Sequence, residues 1–275
     1  MDKLKKKQIK IIAEIGWNHM GNMNLAEKMI KMASESGADY AKFQTWQVKN
    51  LKEGPWDKDG RREIYLKAEL KKHHYPILVK ICKKHKIKFL TSIFNYKDLE
   101  LISKLNLNTI KIPSPENRNK ELLKICSKNF KNIFLSTGAA KITEIKKSFK
   151  LLKRNNVTLM HCVSMYPCPD SNVNLSRIQK LKRINAKAKI GISDHSPDIV
   201  STLFSLPMGI ELIEKHFTID NNLPGRDNKF AILPNALKDL KEKILRFQSM
   251  SKYNQKLSKE ENEVRQVYSG RWTKH

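Results

Sequence analysis

The sequence lacks the features that mark several large classes of protein. Its four cysteines form no Cys-x-x-Cys pair, which argues against a zinc knuckle, a redox motif and a disulfide scaffold. The apolar stretch near the amino terminus is short and is interrupted by Lys10 and Glu14, so it predicts neither a signal peptide nor a membrane span. These absences predict a protein of the reducing cytoplasm that has no membrane partner.

Acidic residues are also scarce, because 27 Asp and Glu stand against 54 Lys and Arg, and the formal net charge is +27. Such a balance can indicate a nucleic acid, a membrane surface or an anionic substrate. The lysines are scattered through helical stretches, and no nucleic-acid motif with interleaved aromatic residues is present. We therefore interpret the charge as a solvated lysine-rich surface and expect no nucleic-acid partner.

Eight short, apolar segments rich in β-branched residues recur along the chain and alternate with helical patterns. The predicted strands are Ile9–Ile15, Tyr40–Thr45, Ile87–Phe94, Thr109–Pro113, Asn132–Ser136, Val157–Val163, Lys189–Ser193 and Ile210–Phe217. Eight strand–helix units in 275 residues predict an α/β fold, a (β/α)₈ TIM barrel, since such barrels take roughly 250 residues. An open doubly wound sheet is the alternative, but its Gly-x-Gly-x-x-Gly loop is absent.

The domain prediction follows from this alternation of strands and helices. Residues 1–252 form one barrel domain, and residues 253–275 form a charged tail typical of a truncated linker. Val48–Leu66 does not fit the strand–helix alternation, since glycine and proline interrupt it. It could be a lid or an oligomer contact.

Polar residues cluster where the predicted strands end. They are Glu14, Asn18, His19, Lys42, Gln44, Thr91, Ser92, Lys111, Ser114, Glu116, Ser136, Thr137, His161, Ser164, Tyr166, Ser193, Asp194, His195, Glu214, Lys215 and His216. Because the carboxyl ends of barrel strands converge on one face, this pattern predicts an active site there. Mutual pairing that only fills the barrel mouth is the alternative, since buried charges need partners or ligands; polar ends on all eight strands favour the site.

His195 and His216 end adjacent predicted strands, so both imidazoles could reach one ion. Imidazole with carboxylate and water ligands suits a divalent metal such as Mn²⁺ or Zn²⁺. Two protein ligands would leave positions for substrate, as in catalytic metal sites. Spacing alone leaves a metal site and two hydrogen-bonded core histidines equally open.

Lys42 and Lys111 indicate a second kind of site. Together with the hydroxyls of Ser114, Ser136 and Ser193, their ammonium groups would cradle phosphate and carboxylate groups. This pattern predicts a doubly anionic small substrate. The alternative is that the lysines pair with Glu14 and Glu116.

Several longer motifs together resemble the sialic acid synthase family, also called the N-acetylneuraminate synthases. They are EIGWNHMGNMNLAEKMIKMASESGADYAKFQ, IKIPSPE, IFLSTGAA, HCVSMYP, IGISDH and IEKHFTIDNNLPGRD, in the family's order and within roughly residues 9–245. The resemblance implies a (β/α)₈ barrel that condenses phosphoenolpyruvate with an N-acylated hexosamine aldehyde, such as N-acetylmannosamine. The products would be a nonulosonic (sialic-type) acid and phosphate, and the enzyme would be a homodimer.

The resemblance also implies roles for individual residues. His195 and His216 match the ligands of a divalent metal, Mn²⁺ foremost, with Mg²⁺ and Co²⁺ as the others. The positions that match phosphoenolpyruvate-binding residues are Lys42, Thr91, Lys111, Ser114, Ser136 and Ser193. Glu116 matches a catalytic acid or base. Glu14, which we also assign to catalysis, Tyr166 and Asp227 match residues around the sugar and the metal-bound waters.

The sequence departs from the family pattern on the sugar side. We expect the protein to lack the family's C-terminal antifreeze-like domain, which supplies an arginine to the sugar in the dimer. The sequence also has Ser164 and Arg226 where asparagine and proline are usual. We expect a retained condensation with a different or more loosely bound acceptor sugar, with Ser164 among the substrate-binding residues. The alternatives are another barrel aldolase or lyase, with Lys111 or Lys215 forming a Schiff base, and a non-catalytic sugar-binding relative.

Overall fold

Eight parallel strands close into a barrel in which each strand pairs with the next and β8 pairs with β1. The computed structural model describes residues 8–186, 188–251 and 256–272. The strands are β1 Lys10–Gly16, β2 Tyr40–Thr45, β3 Lys88–Ile93, β4 Thr109–Ile112, β5 Asn132–Ser136, β6 Asn156–Cys162, β7 Lys189–Asp194 and β8 Leu212–His216. The predicted (β/α)₈ TIM barrel is confirmed.

Helices follow the strands along the chain and surround the barrel. Within the described residues they are α1 Met23–Glu35, α2 Arg61–Ala68, α3 His74–Lys84, α4 Lys120–Asn129, α5 Ile142–Leu151, α6 Asp170–Val173, α7 Arg177–Lys182, α8 Val200–Ser205, α9 Pro234–Met250 and α10 Lys259–Tyr268. In α1 the apolar residues at helical spacing, Met29, Ile30 and Ala33, are buried against the barrel. None of the described helices is long and apolar enough to cross a membrane.

The two faces of the strands have different compositions because successive side chains point to opposite sides. The outward face meets the helices with side chains such as Ile11, Ile133 and Ile213. The interior has an apolar layer toward the amino ends of the strands. This layer consists of Ile12, Tyr40, Leu90, Phe134, Met160 and Leu212. It closes the bottom of the barrel, so polar groups at the carboxyl ends of the strands sit above an apolar floor.

The segment between β2 and α3 lies beside the barrel mouth. It contains short 3₁₀ turns at Val48–Asn50 and Pro55–Asp57, followed by α2. From α2, Tyr65 stacks on Trp17, with ring centroids 5.0 Å apart, and meets the edge of Trp46. The segment therefore forms one wall of the mouth; its role as a lid stays a prediction.

The end of the chain carries one further helix. α10 begins at a capping box between Ser258 and Glu261, and its residues are exposed. The predicted domain boundary between residues 252 and 253 falls outside the described residues. The tail from residue 253 as a truncated linker thus stays a prediction.

Candidate active site

A cavity of about 370 Å³ opens at the carboxyl ends of the strands. Its volume is within the roughly 300–1,000 Å³ typical of small-molecule sites. The charged or histidine residues that line it are Glu14, Lys42, Lys111, His195, Glu214, His216, Arg226 and Asp227. Ser92, Ser114, Ser136, Ser193 and Tyr166 add hydroxyls. The predicted convergence of polar strand ends is therefore present.

Two lysines and two glutamates form a buried charge cluster at the base of the cavity. Lys42 Nζ lies 2.7 Å from Glu14 Oε2 and 3.8 Å from Glu214 Oε2. Lys111 Nζ lies 2.8 Å from both carboxylate oxygens of Glu214, which also accepts a 2.8 Å hydrogen bond from Ser193 Oγ. The four groups share one low-dielectric space, so each depends on the others for its charge.

The environment separates the pKa values of the two glutamates. Burial raises the pKa of Glu14 to about 7, against the opposing effect of Lys42. Burial also disfavours the charged form of Glu214, but Lys111 and Lys42 outweigh it and lower the pKa of Glu214 to about 2. Two carboxyls with separated pKa values can take different roles. Glu214 is a fixed anion, and Glu14 can exchange a proton near neutral pH.

The lysines are affected in opposite directions. Burial works against the charge of Lys42, yet Glu14 and Glu214 together raise its pKa. Burial lowers the pKa of Lys111, and Glu214 only partly offsets that effect. Lys111 is thus the less strongly stabilised cation and would gain most from an anionic ligand.

His195 and His216 face each other across the cavity, with ring centroids 5.4 Å apart. His195 Nδ1 lies 2.7 Å from the carbonyl oxygen of Val163, so Nδ1 carries the proton and Nε2 keeps its lone pair. His216 Nδ1 is buried without a hydrogen-bond partner and lies 3.5 Å from Asp227 Oδ2. Burial lowers the pKa of His195 to about 4 and that of His216 well below its usual value. Both imidazoles are therefore neutral at pH 7, the form that binds metals.

This donor set fits a catalytic metal site more closely than a structural one. Within the described chain no cluster of three or more His, Cys, Asp or Glu side chains is arranged to hold an ion. Two neutral imidazoles and the nearby Asp227 carboxylate leave coordination positions for water or substrate. Burial raises the pKa of Asp227 to about 6, and the indole Nε1–H of Trp17 donates to its Oδ2.

Serine hydroxyls and main chain shape the side of the cavity next to β4 and β5. Ser114 Oγ accepts a 3.1 Å hydrogen bond from the Gly138 amide. A Cβ atom at Gly138 would lie 2.5 Å from Ser164 Oγ and 2.6 Å from Ser114 Oγ, so the close approach requires glycine. Arg177 holds this loop by donating to the carbonyl oxygens of Thr137 and Ala140.

Thr91, which the resemblance matched to a phosphoenolpyruvate-binding position, is not among the residues that line the cavity. Thr91 faces the helices, where its Oγ1 lies 2.8 Å from Thr45 Oγ1 and 3.1 Å from the Phe43 carbonyl oxygen. Side chains alternate along β3, so the inward position belongs to Ser92, the register partner of Gln44 and Lys111.

Glu116 and Ser164 lie at the rim and are not among the residues that line the cavity. Glu116 is the last residue of the 3₁₀ turn Ser114–Glu116 after β4, is partly exposed, and accepts a 2.8 Å hydrogen bond from Asn119 Nδ2. Ser164 is exposed beside Gly138. Tyr166 does reach the site, where its ring centroid lies 4.1 Å from that of His195.

Glu214 is the most important cavity residue that we did not assign a role from the sequence. Gln44, Ser92 and Cys162 also line the cavity without a predicted role. The signal was present for Gln44 and Glu214, because each lies two positions from a residue that we predicted to point inward. Gln44 follows Lys42 by two, and Glu214 precedes His216 by two.

The fold and the lining together define a (β/α)₈-barrel enzyme with its site at the carboxyl ends of the strands. A family profile described as "NeuB family" matches residues 29–256. The chain is 38% identical over 258 residues to N,N'-diacetyllegionaminic acid synthase of Campylobacter jejuni, covering 88% of this chain and 77% of that one. It is 33% identical over 249 residues to pseudaminic acid synthase of Helicobacter pylori, covering 86% and 73%.

A solved structure of a sialic acid synthetase is also similar to this chain. The crystal structure of N-acetylneuraminic acid (sialic acid) synthetase from Leptospira borgpetersenii, in complex with citrate, superposes with a TM-score of 0.85 at 30% identity. The alignment covers 95% of this chain and 93% of that one. The chain belongs to the NeuB family, and the predicted membership of the sialic acid synthase family is confirmed.

Proposed function

We propose that the protein condenses phosphoenolpyruvate with the open-chain aldehyde of an N-acylated hexosamine, giving a nonulosonic acid and phosphate. One observation carries the proposal: buried lysines and serine hydroxyls lie beside two neutral histidines in a single cavity. The names of the relatives, which are synthases of legionaminic and pseudaminic acids, support the same reaction class.

The charge of the cavity suits a substrate with phosphate and carboxylate groups. Three cations line it, Lys42, Lys111 and Arg226, against the carboxyls of Glu14, Glu214 and Asp227. Because burial raises the pKa of Glu14 to about 7 and that of Asp227 to about 6, the negative side is weakened near neutral pH. An anion between Lys42 and Lys111 would add to the negative charge that Glu14 and Glu214 supply.

His195 and His216 would hold a divalent metal, Mn²⁺ foremost, with Mg²⁺ or Co²⁺ as alternatives. When bound there, the metal supplies Lewis-acid polarisation of the sugar aldehyde. The hydrogen bond from Nδ1 of His195 to the Val163 carbonyl fixes the proton on Nδ1. The lone pair on Nε2, on the other side of the ring, is therefore free to bind a ligand.

The protein's own groups account for the proton transfers. As the enol carbon bonds to the aldehyde carbon, negative charge grows on the aldehyde oxygen, and water captures the electron-poor C2 before phosphate leaves. Glu14, with a pKa of about 7, can deliver or accept a proton in these steps. We assign this role to Glu14 rather than to Glu116, because Glu116 lies at the rim and is held by Asn119.

Arg226 and the aromatic wall define the acceptor side. Trp17, Trp46 and Tyr65 present ring faces and edges to the cavity, opposite the serine side. Aromatic rings pack against the apolar faces of sugars and acyl groups, and a guanidinium can donate to an acyl carbonyl.

The homodimer and the cytoplasmic location stay predictions.

The proposal is tested by incubating the protein with phosphoenolpyruvate, Mn²⁺ and a panel of N-acylated hexosamines. We expect phosphate release that depends on one or more of these sugars, with an equimolar nine-carbon 2-keto acid identified by mass spectrometry. If no sugar gives phosphate release with Mn²⁺, and none does when Mg²⁺ or Co²⁺ replaces it, the proposal is wrong.

A Schiff-base aldolase is the second candidate, favoured by one observation: burial lowers the pKa of Lys111, as in amine nucleophiles. Both oxygens of Glu214 hold Lys111 Nζ, however, and Lys215 faces away from the cavity toward Asp194. Borohydride reduction in the presence of pyruvate is expected to leave the protein mass unchanged. A stable adduct on Lys111 would favour the aldolase.

The inward position of Ser92 on β3 makes a separate prediction. Ser92→Ala removes a cavity hydroxyl and is expected to raise KM for phosphoenolpyruvate about 5- to 10-fold, since one hydrogen bond contributes about 1 kcal/mol. Thr91→Val, one residue away on the outward face, is expected to change KM by less than about twofold while lowering stability through the lost contact with Thr45. Steady-state kinetics on both variants checks this, and a larger rise in KM for Thr91→Val than for Ser92→Ala would contradict a substrate contact by Ser92.

A further inference from the structure

A buried ion pair lies on the outer side of the barrel, directly behind the two histidines of the site. Asp194 and Lys215 are register partners on β7 and β8, and each immediately precedes one of the histidines. Lys215 Nζ lies 2.9 Å from Asp194 Oδ2, and the two residues are only 2% and 4% exposed. Because side chains alternate, the pair points into the helix layer while His195 and His216 point into the cavity.

The pair is the centre of a network that leaves little freedom to the chain after β7. Asp194 Oδ2 also accepts from Ser201 Oγ at 2.6 Å and Thr202 Oγ1 at 2.8 Å, both in α8. The amide of Ser196 donates to Asp194 Oδ1 at 3.0 Å, and the Ser196 carbonyl accepts from Lys215 Nζ at 2.7 Å. The network therefore ties together the residues on both sides of His195.

Packing of the barrel against its helices does not require such a pair. The neighbouring outward positions on these strands are Ile190, Ile192 and Ile213, all buried and apolar. A buried ion pair pays a desolvation cost, and well-packed apolar side chains in its place are often as stable or more stable. What the pair adds over apolar packing is directional contacts, which hold one geometry.

We infer that Asp194 and Lys215 are positioning residues that fix the orientation of the two imidazoles. The pair locks the relative register of β7 and β8 at their carboxyl ends, and its contacts with Ser196 hold the backbone of His195 so that Nδ1 meets the Val163 carbonyl. With Nδ1 held in this way, the imidazole of His195 keeps the Nε2 lone pair for a ligand. This inference rests on the proposed role of the histidines for its effect on metal binding, but the orientation itself is independent of any metal.

The test compares Asp194→Asn, the double variant Asp194→Asn with Lys215→Met, and the milder Thr202→Val. The double variant removes both charges together, so it leaves no buried charge unpaired, and Thr202→Val removes one donor while keeping side-chain shape. Asp39→Asn is the matched control. Asp39 sits at the opposite end of the barrel, where Oδ2 accepts from the Ile11 amide at 2.9 Å and lies 3.7 Å from Lys241 Nζ.

Two readouts are needed. Nitrogen NMR of protein labelled in its histidines reports the tautomer of His195 without metal, and titration with Mn²⁺ alone, followed by electron paramagnetic resonance, reports affinity. We expect one Nδ1–H tautomer in the unmodified protein and in Asp39→Asn, and a mixture in the Asp194→Asn and double variants. Mn²⁺ affinity is expected to fall about 10- to 100-fold in those variants and by a smaller factor in Thr202→Val.

The outcomes separate this inference from the proposed function. A protein that binds no Mn²⁺ but loses its single His195 tautomer in Asp194→Asn would support the positioning role while contradicting the metal site. If Asp194→Asn and the double variant keep the tautomer, and their Mn²⁺ affinity is no lower than that of Asp39→Asn, the inference is wrong. If the destabilised Asp194→Asn fails to fold, the same comparison is decided by the double variant and Thr202→Val.

Discussion

Lys111→Met is expected to lower kcat/KM for phosphoenolpyruvate about 100- to 1,000-fold, as the loss of one preorganised donor in a water-excluded site does. The same change leaves Glu214 buried with Lys42 at 3.8 Å as its nearest cation. Removing one partner of a buried ion pair costs about 3 kcal/mol of unfolding free energy. Phosphate-release kinetics measures the first effect, and urea denaturation measures the second.

The double variant Lys111→Met with Glu214→Gln distinguishes the two effects. It removes both charges, and the glutamine oxygen can still accept from Ser193 Oγ, which now donates to Glu214 at 2.8 Å. Stability is expected to return to within about 1 kcal/mol of the unmodified protein while kcat/KM stays low. Recovery of activity together with stability would mean that Lys111 acts only as a structural partner of Glu214.

His195→Ala is expected to abolish stimulation by Mn²⁺ and to lower kcat/KM about 1,000-fold. A metal contributes several kcal/mol to stabilising charge in the transition state, and each 1.4 kcal/mol is about tenfold in rate. The change also frees the Val163 carbonyl, which accepts the 2.7 Å hydrogen bond from His195 Nδ1. Metal content and Mn²⁺-dependent kinetics measure the outcome.

The matched control for His195→Ala is His161→Gln. His161 is also a buried histidine near the end of a barrel strand, but it faces outward, and its Nε2 lies 2.7 Å from the Val173 carbonyl. Glutamine can still donate to that carbonyl, so Mn²⁺ dependence is expected to change by less than about threefold. Equal losses in both variants would show that the effect comes from disturbing any buried histidine in this part of the barrel.

The barrel could be predicted from the sequence because its strands are short apolar runs separated by amphipathic helices. β2 and β5 have the predicted bounds, Tyr40–Thr45 and Asn132–Ser136, and the others differ by one or two residues at one or both ends. Differences of this size are normal at element ends, where the apolar pattern continues past the last ladder hydrogen bond. The extra residues at Ile210 and Phe217 are buried in the core without belonging to β8.

The site was less predictable because residue type does not reveal which way a side chain points. Thr91 and Ser92 are adjacent hydroxyl residues, and only the register with Gln44 and Lys111 shows that Ser92 is the inward one. Lys215 resembles a candidate nucleophile in the sequence, but the strand places it behind the cavity. Glu116 lies after the strand has ended, where alternation no longer applies and the 3₁₀ turn sets its direction.

The sequence also did not reveal which carboxylates pair with the two buried lysines. The sequence left open whether Lys42 and Lys111 meet Glu14 and Glu116 or form an anion cradle. Their partners are Glu14 and Glu214, and the cluster still leaves Lys111 with a lowered pKa inside a cavity. The buried ion pairs are therefore compatible with an anion site, because a bound anion could replace a glutamate as the partner of Lys42 or Lys111.

A crystal structure of the protein soaked with Mn²⁺ and phosphoenolpyruvate is the decisive test of the proposed site. We expect the ion between His195 and His216, and the phosphate and carboxylate of the ligand in contact with Lys42 and Lys111. A ligand bound away from these lysines, or an ion bound without either histidine, would contradict it.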